Sequence, residues 1–191
     1  MGLLRWFLVC VFLGLAPAGI AAAQVAVSFH GHDGSQVRGG YIHLPHAFVH
    51  FSGTIEATGQ PVDQTVGFTA RNPGPHLLLF SGPGVLHETD AAYRADSSQY
   101  ASLIISDETY FAMQARLDNW RTGRGSTYNL NRRNCIHFVA EMARMAGLQT
   151  PPEDTLSPNG FLKDMVTLNP QLTQVAAPPE PQNLMGAPAA F

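Results

Sequence analysis

The chain predicts an α+β fold, a mostly antiparallel sheet packed against a helix that carries a single cysteine. Three observations point there. Short apolar runs punctuated by glycine and proline fill the first half, two capped stretches with helical spacing follow, and the sequence past residue 150 becomes proline-rich. Strand-like runs followed by helical ones favour segregated layers over alternating βαβ units.

Taken in order, residues 25–30 read as a strand and Gly31-His32-Asp33-Gly34 as the turn after it. A second strand is expected over 41–51. Because side chains alternate along a strand, Ala47, Val49 and Phe51 should share one face while His46, Phe48 and His50 share the other. Further strands are expected over 65–70, over 76–80 with Gly-Pro punctuation on both sides, and over 102–105.

Ser106 then reads as a helix N-cap, with Asp107 and Glu108 in the first turn where the helix dipole favours negative charge. Tyr110, Met113, Leu117 and Trp120 follow at helical spacing until Gly123. A second helix should start near Asn134, placing Ile136, Val139, Met142 and Ala143 on one face as far as Gly147. Cys135 falls in its first turn. One more short helix is expected over 161–168. Beyond about 173, Pro178, Pro179, Pro181 and Pro188 leave too little apolar pattern to pack, which predicts a disordered tail.

The chain begins with Arg5, an apolar run over 6–15 and small residues ending in Ala21-Ala22-Ala23, the three parts of a secretory signal. The expected organisation is a signal over 1–23, a catalytic domain over 24–150, an extension over 151–173 and a Pro/Ala-rich tail over 174–191, with the product secreted or periplasmic. The apolar run falls short of the roughly 20 residues a spanning helix needs, so no stable membrane insertion is expected. Losing Arg5 takes the formal net charge from −3 to −4, and no dense basic run matches a nucleic-acid backbone. Nucleic acid is therefore a poor partner.

Removing the signal also removes Cys10 and leaves Cys135 as the one thiol of a protein bound for an oxidising compartment. A buried cysteine acting as a small hydrophobe is the plain alternative. Against it stands the position: a cysteine in a first helical turn sees unpaired backbone N–H groups, and Arg132 and Arg133 precede it. Both effects should draw its pKa toward or below neutrality and make it a nucleophile. The same N–H groups could steady an oxyanion.

The run from Tyr128 to Val139, with Asn134-Cys135-Ile136-His137-Phe138-Val139 at its centre, resembles the nucleophile helix of circularly permuted papain-like proteins, the lecithin:retinol acyltransferase family and its NlpC-type relatives. Those proteins place a histidine strand before the cysteine helix, and Pro45-His46-Ala47-Phe48-Val49 resembles that strand. The resemblance implies a permuted papain-like fold, Cys135 as nucleophile and His46 as general base, with His43 and His50 as competitors for the base. His137 lies about 200 degrees around the helix from Cys135 and suits a packing or hydrogen-bonding role. The family's second histidine has no counterpart among Glu56, Ala57, Thr58, Gly59 and Gln60, so Gln64 or Thr65 is the candidate third residue. Such chemistry needs no metal or organic cofactor. The expected partner is a peptide or acyl substrate, with cell-wall peptidoglycan the abundant amide outside a bacterial cytoplasm.

Two rival readings stand beside this one. His30 and His32 form a His-x-His pair, followed by His43, His46 and His50, and imidazoles suit zinc, copper or nickel. The other rival is a papain-like domain that has lost catalysis and serves as a binding module.

Overall fold

A computed structural model describes residues 24–34, 44–122 and 126–174; the signal segment, His43 and the tail beyond 174 lie outside them. The described chain is α+β. Its six strands are β1 (Val25–His32), β2 (His46–Thr54), β3 (Pro61–Ala70), β4 (Gly82–Glu88), β5 (Ser98–Ile105) and β6 (Thr127–Tyr128), and its helices are α1 (Ala91–Ala95), α2 (Asp107–Arg121), α3 (Cys135–Met145) and α4 (Pro158–Leu168). All strand pairings are antiparallel, in the order β5-β1-β2-β3-β4-β6.

The alternation expected for β2 sorts the two faces of the sheet. Ala47, Val49 and Phe51 join Val25, Val27 and Phe29 of β1 and Val66 and Phe68 of β3 in one apolar core, which Met113, Leu117 and Trp120 of α2, most of α3, and Phe161, Leu162 and Met165 of α4 complete. The stretch past 150 thus contributes a full helix to this core. Ser28, His30, His32, His46, Phe48, His50 and Thr65 alternate with those core positions and look the other way, toward α1.

Local chemistry sets the helix starts. The Ser106 side chain accepts from the Thr109 N–H at 3.2 Å, and α2 runs on from there. Asn134 caps α3 by accepting from the N–H groups of Ile136 at 2.8 Å and His137 at 3.2 Å. Gly147, at φ 81, takes the left-handed conformation just past the end of α3.

One expected strand is corrected. Residues 76–80 do not extend; Pro75–Leu78 form a 3-10 turn, in which the Leu77 N–H reaches the Gly74 carbonyl at 3.1 Å and the Phe80 N–H reaches that of His76 at 2.9 Å. Pro75 fixes a helical φ at the first position, where its missing N–H costs nothing. The strand lies instead at β4, whose Gly82-Pro83-Gly84 start hides the alternation that follows.

Candidate active site

Cys135 is the first residue of α3 and is 7% exposed. The backbone N–H groups of Ala47 on β2, of Cys135 itself and of Ile136 lie near its sulfur and favour the thiolate, although the Ile136 N–H is already given to Asn134 Oδ1 at 2.8 Å. Burial outweighs them and pushes the thiol up to about 11. This corrects the expectation of a low pKa. The arginines do not supply the expected charge either: Arg133 lays its guanidinium over the Trp120 ring, 3.6 Å from the centroid, and Arg132 faces solvent.

His46 opens β2, adjacent in sequence to the Ala47 N–H that meets the thiol. Its ring shares a face of the strand with Phe48, 6.4 Å away between centroids, and sits above Gly67. A Cβ at Gly67 would fall 2.5 Å from His46 Nε2, so glycine there makes room for the imidazole. Burial, with His87 and His32 nearby, pushes His46 down to about 4. No hydrogen bond joins the Cys135 thiol to His46 among the described residues. Both groups rest neutral near pH 7.

His50, the described competitor, is held by Asp63 at 2.8 Å. The proposed third residues are engaged elsewhere: Gln64 accepts from Gln114 of α2 at 2.9 Å, and buried Thr65 accepts from Arg94 of α1 at 2.9 Å. His137 contacts its own cap, with Nδ1 2.9 Å from Asn134 Oδ1, and its Nε2 lies 3.9 Å from Glu153.

His30 and His32 have local partners. His30 Nε2 is 2.9 Å from Ser28 Oγ and its ring stacks on Phe48, while His32 stacks on Tyr93, sits 3.4 Å from Asp96 and accepts from the Gly34 N–H. Among the described residues no three histidine, cysteine or carboxylate side chains are placed to hold a metal ion.

Two residues near the thiol carry no sequence assignment. Tyr93 of α1 and Tyr128 of β6 are pushed up to about 12, first by burial and then by the neighbouring Cys135 sulfur. Tyr128 opens the motif that carries the family resemblance, so its position was visible although its role was not. Tyr93 lies between two expected strands, where no periodicity marks it. No helix of the described residues is long and apolar enough to cross a membrane. Comparison with family models, with curated proteins and with solved structures finds no match for this chain.

Proposed function

We propose that the chain is an exported cysteine hydrolase of permuted papain-like architecture, acting on an amide or ester outside the cytoplasm. The observation that carries this reading is the place of Cys135 Sγ at the start of a helix, beside the backbone N–H groups of Ala47 and of Cys135 itself. Such donors can serve an anionic sulfur and, as charge shifts, the oxygen of a tetrahedral intermediate.

His46 is the base in this reading. Because the resting pair is neutral, the thiol proton moves to the imidazole as sulfur attacks the carbonyl carbon, and the tetrahedral intermediate collapses by expelling the amine or alcohol, which takes that proton back. A thioester on Cys135 remains, and water, deprotonated by the same imidazole, releases the acid and restores the thiol. The step brings the His46 ring, which rests above Gly67, to the thiol. Cell-wall peptides are the amide candidates and acyl esters the alternative.

A second reading is a papain-like module that binds without cleaving. The neutral resting state of both Cys135 and His46, with no hydrogen bond between them among the described residues, favours it. Mass spectrometry after incubation with muropeptides, and separately with short acyl esters, decides between the two. The hydrolase reading expects released product and an acyl adduct on Cys135, both absent in Cys135→Ala and in His46→Ala. Retained muropeptide binding with no product from either substrate class would replace it with the binding reading.

A further inference from the structure

We infer that the loop between β3 and β4 is an interfacial anchor that seats this end of the protein on an anionic lipid bilayer. Leu78, Leu79 and Phe80 stand there in succession, 67%, 82% and 66% exposed, and they are among the most exposed large apolar side chains in the described structure. Single exposed apolar residues are ordinary on protein surfaces, but a continuous run of three marks a contact site.

The loop is built to hold that tip outward. Leu77 turns inward, is 8% exposed and lies against Gly82, so its neighbours point away. Pro73 and Pro75 restrict the backbone leading into the 3-10 turn, which lowers the entropy lost on docking. The base is stitched to the segment that leads into α3. Gly82 pairs with Tyr128 and Pro83 with Thr127, Asn129 donates to Ser81 Oγ at 3.0 Å, and the Arg71 N–H donates to the Pro83 carbonyl at 2.8 Å.

Charge names the partner. The sequence holds no acidic residue between Asp63 and Glu88, or between Asp118 and Glu141, although the chain as a whole is negative. Within those stretches Arg71 stands at the root of the loop and Arg132 in the turn closed by the Asn129 and Arg133 pairing; both are exposed, and neither makes an ion pair with a described residue. A stable protein interface needs about 800 Å² from each partner, which three side chains on a narrow tip do not supply. An apolar tip with exposed arginines at its root and in the turn tied to its base instead matches a bilayer whose headgroups are negative and whose acyl layer lies just beneath.

The proposal stands apart from the thiol chemistry and is tested without it. The full chain is sedimented with phosphatidylcholine vesicles containing or lacking 30% phosphatidylglycerol, a composition chosen to vary the surface charge. The Leu79→Ser, Phe80→Ser double variant should lose at least about tenfold in partitioning to the anionic vesicles. Arg71→Gln and Arg132→Gln should each lose about fivefold, and added salt should erase that difference. Because the apolar run near the chain start can bind lipid by itself, the tip is also read directly: Leu79→Trp should show quenching by brominated lipid beyond that of the parent protein. Equal partitioning of parent and double variant overturns the anchor, as does a Leu79→Trp signal no more quenched than the parent's.

Discussion

On the helix-covered face of the sheet, β1, β2 and β3 present Val25, Val27, Phe29, Ala47, Val49, Phe51, Val66 and Phe68 to three helices. The same strands present Ser28, His30, His32, His46, His50 and Thr65 to the other face, where only Phe48 among the β2 side chains is apolar and where Tyr93 and Arg94 of the five-residue α1 lie. The first face gains its stability from dispersion and desolvation, which need no particular partner. The second is held by individual polar pairs and ring stacks, each of which depends on protonation or on one neighbour. The candidate base belongs to the second face, while the candidate nucleophile, at the start of α3, joins the apolar core and also neighbours Tyr93 of α1.

The largest effect expected from this division concerns the thiol. A sulfhydryl pushed up to about 11 should react with iodoacetamide on the order of 10²-fold more slowly at pH 7 than one titrating near neutrality, because the scarcity of thiolate outweighs its greater intrinsic nucleophilicity, with the rate still climbing above pH 9. A midpoint below pH 7 would mean that the polar neighbours rather than burial govern Cys135, and would end the comparison. Next in size, Phe138→Ala removes a ring that is fully buried and meets Trp120 edge-on at 5.3 Å. Urea unfolding should show a loss of about 3–5 kcal/mol. A loss below about 1 kcal/mol would mean that the helix layer is not packed as described.

What the sequence made legible follows the same division. Period-2 alternation marked Val49 and Phe51 as core and His46 and His50 as the opposite side, and the caps at Ser106 and Asn134 located α2 and α3. These signals are local, and tertiary packing reinforced them. The 76–80 run failed as a strand because its apolar residues have no sheet to cover: Pro75 turns the chain, and Leu78, Leu79 and Phe80 face outward. At the site, sequence position placed Cys135 at a helix start correctly. It could not weigh the N–H groups against burial, because burial depends on β2 and α1 arriving from distant parts of the chain.

The histidine face should reveal itself by pH. His30 and His46 are pushed from 6.5 down to about 4, chiefly by burial, with His50 and Arg94 acting on the first and His87 and His32 on the second. The unfolded chain therefore binds more protons than the folded one between those values. The stability these neutral imidazoles contribute is present above pH 6.5 and is lost as pH falls toward 4, by about 2–3 kcal/mol per histidine at most. Denaturation midpoints measured between pH 7 and 4.5, above most carboxylate titration, should fall accordingly, and His30→Leu should flatten part of the slope. A pH-independent midpoint in the parent protein would mean that the face is open to water and that its histidines titrate as free ones do.

The smallest effect separates support from chemistry on that same face. Thr65 is buried and accepts a hydrogen bond from Arg94, which also lies 3.4 Å from Asp63, the partner of His50. Thr65→Val keeps the shape and β-branching but leaves one guanidinium N–H without its acceptor. The expected cost is about 0.5–1.5 kcal/mol, since Arg94 is part-exposed and water can replace the lost partner. Because Thr65 lies opposite His50 in the β2–β3 register, whereas the His46 ring sits over Gly67, the substitution should, on the proposed hydrolase reading, leave the pH dependence of product formation unchanged. A fall in kcat with a shifted pH profile, at unchanged melting temperature, would instead make Thr65 the group that orients the imidazole. That result would tie the base to the Arg94 network and carry the polar face into the reaction.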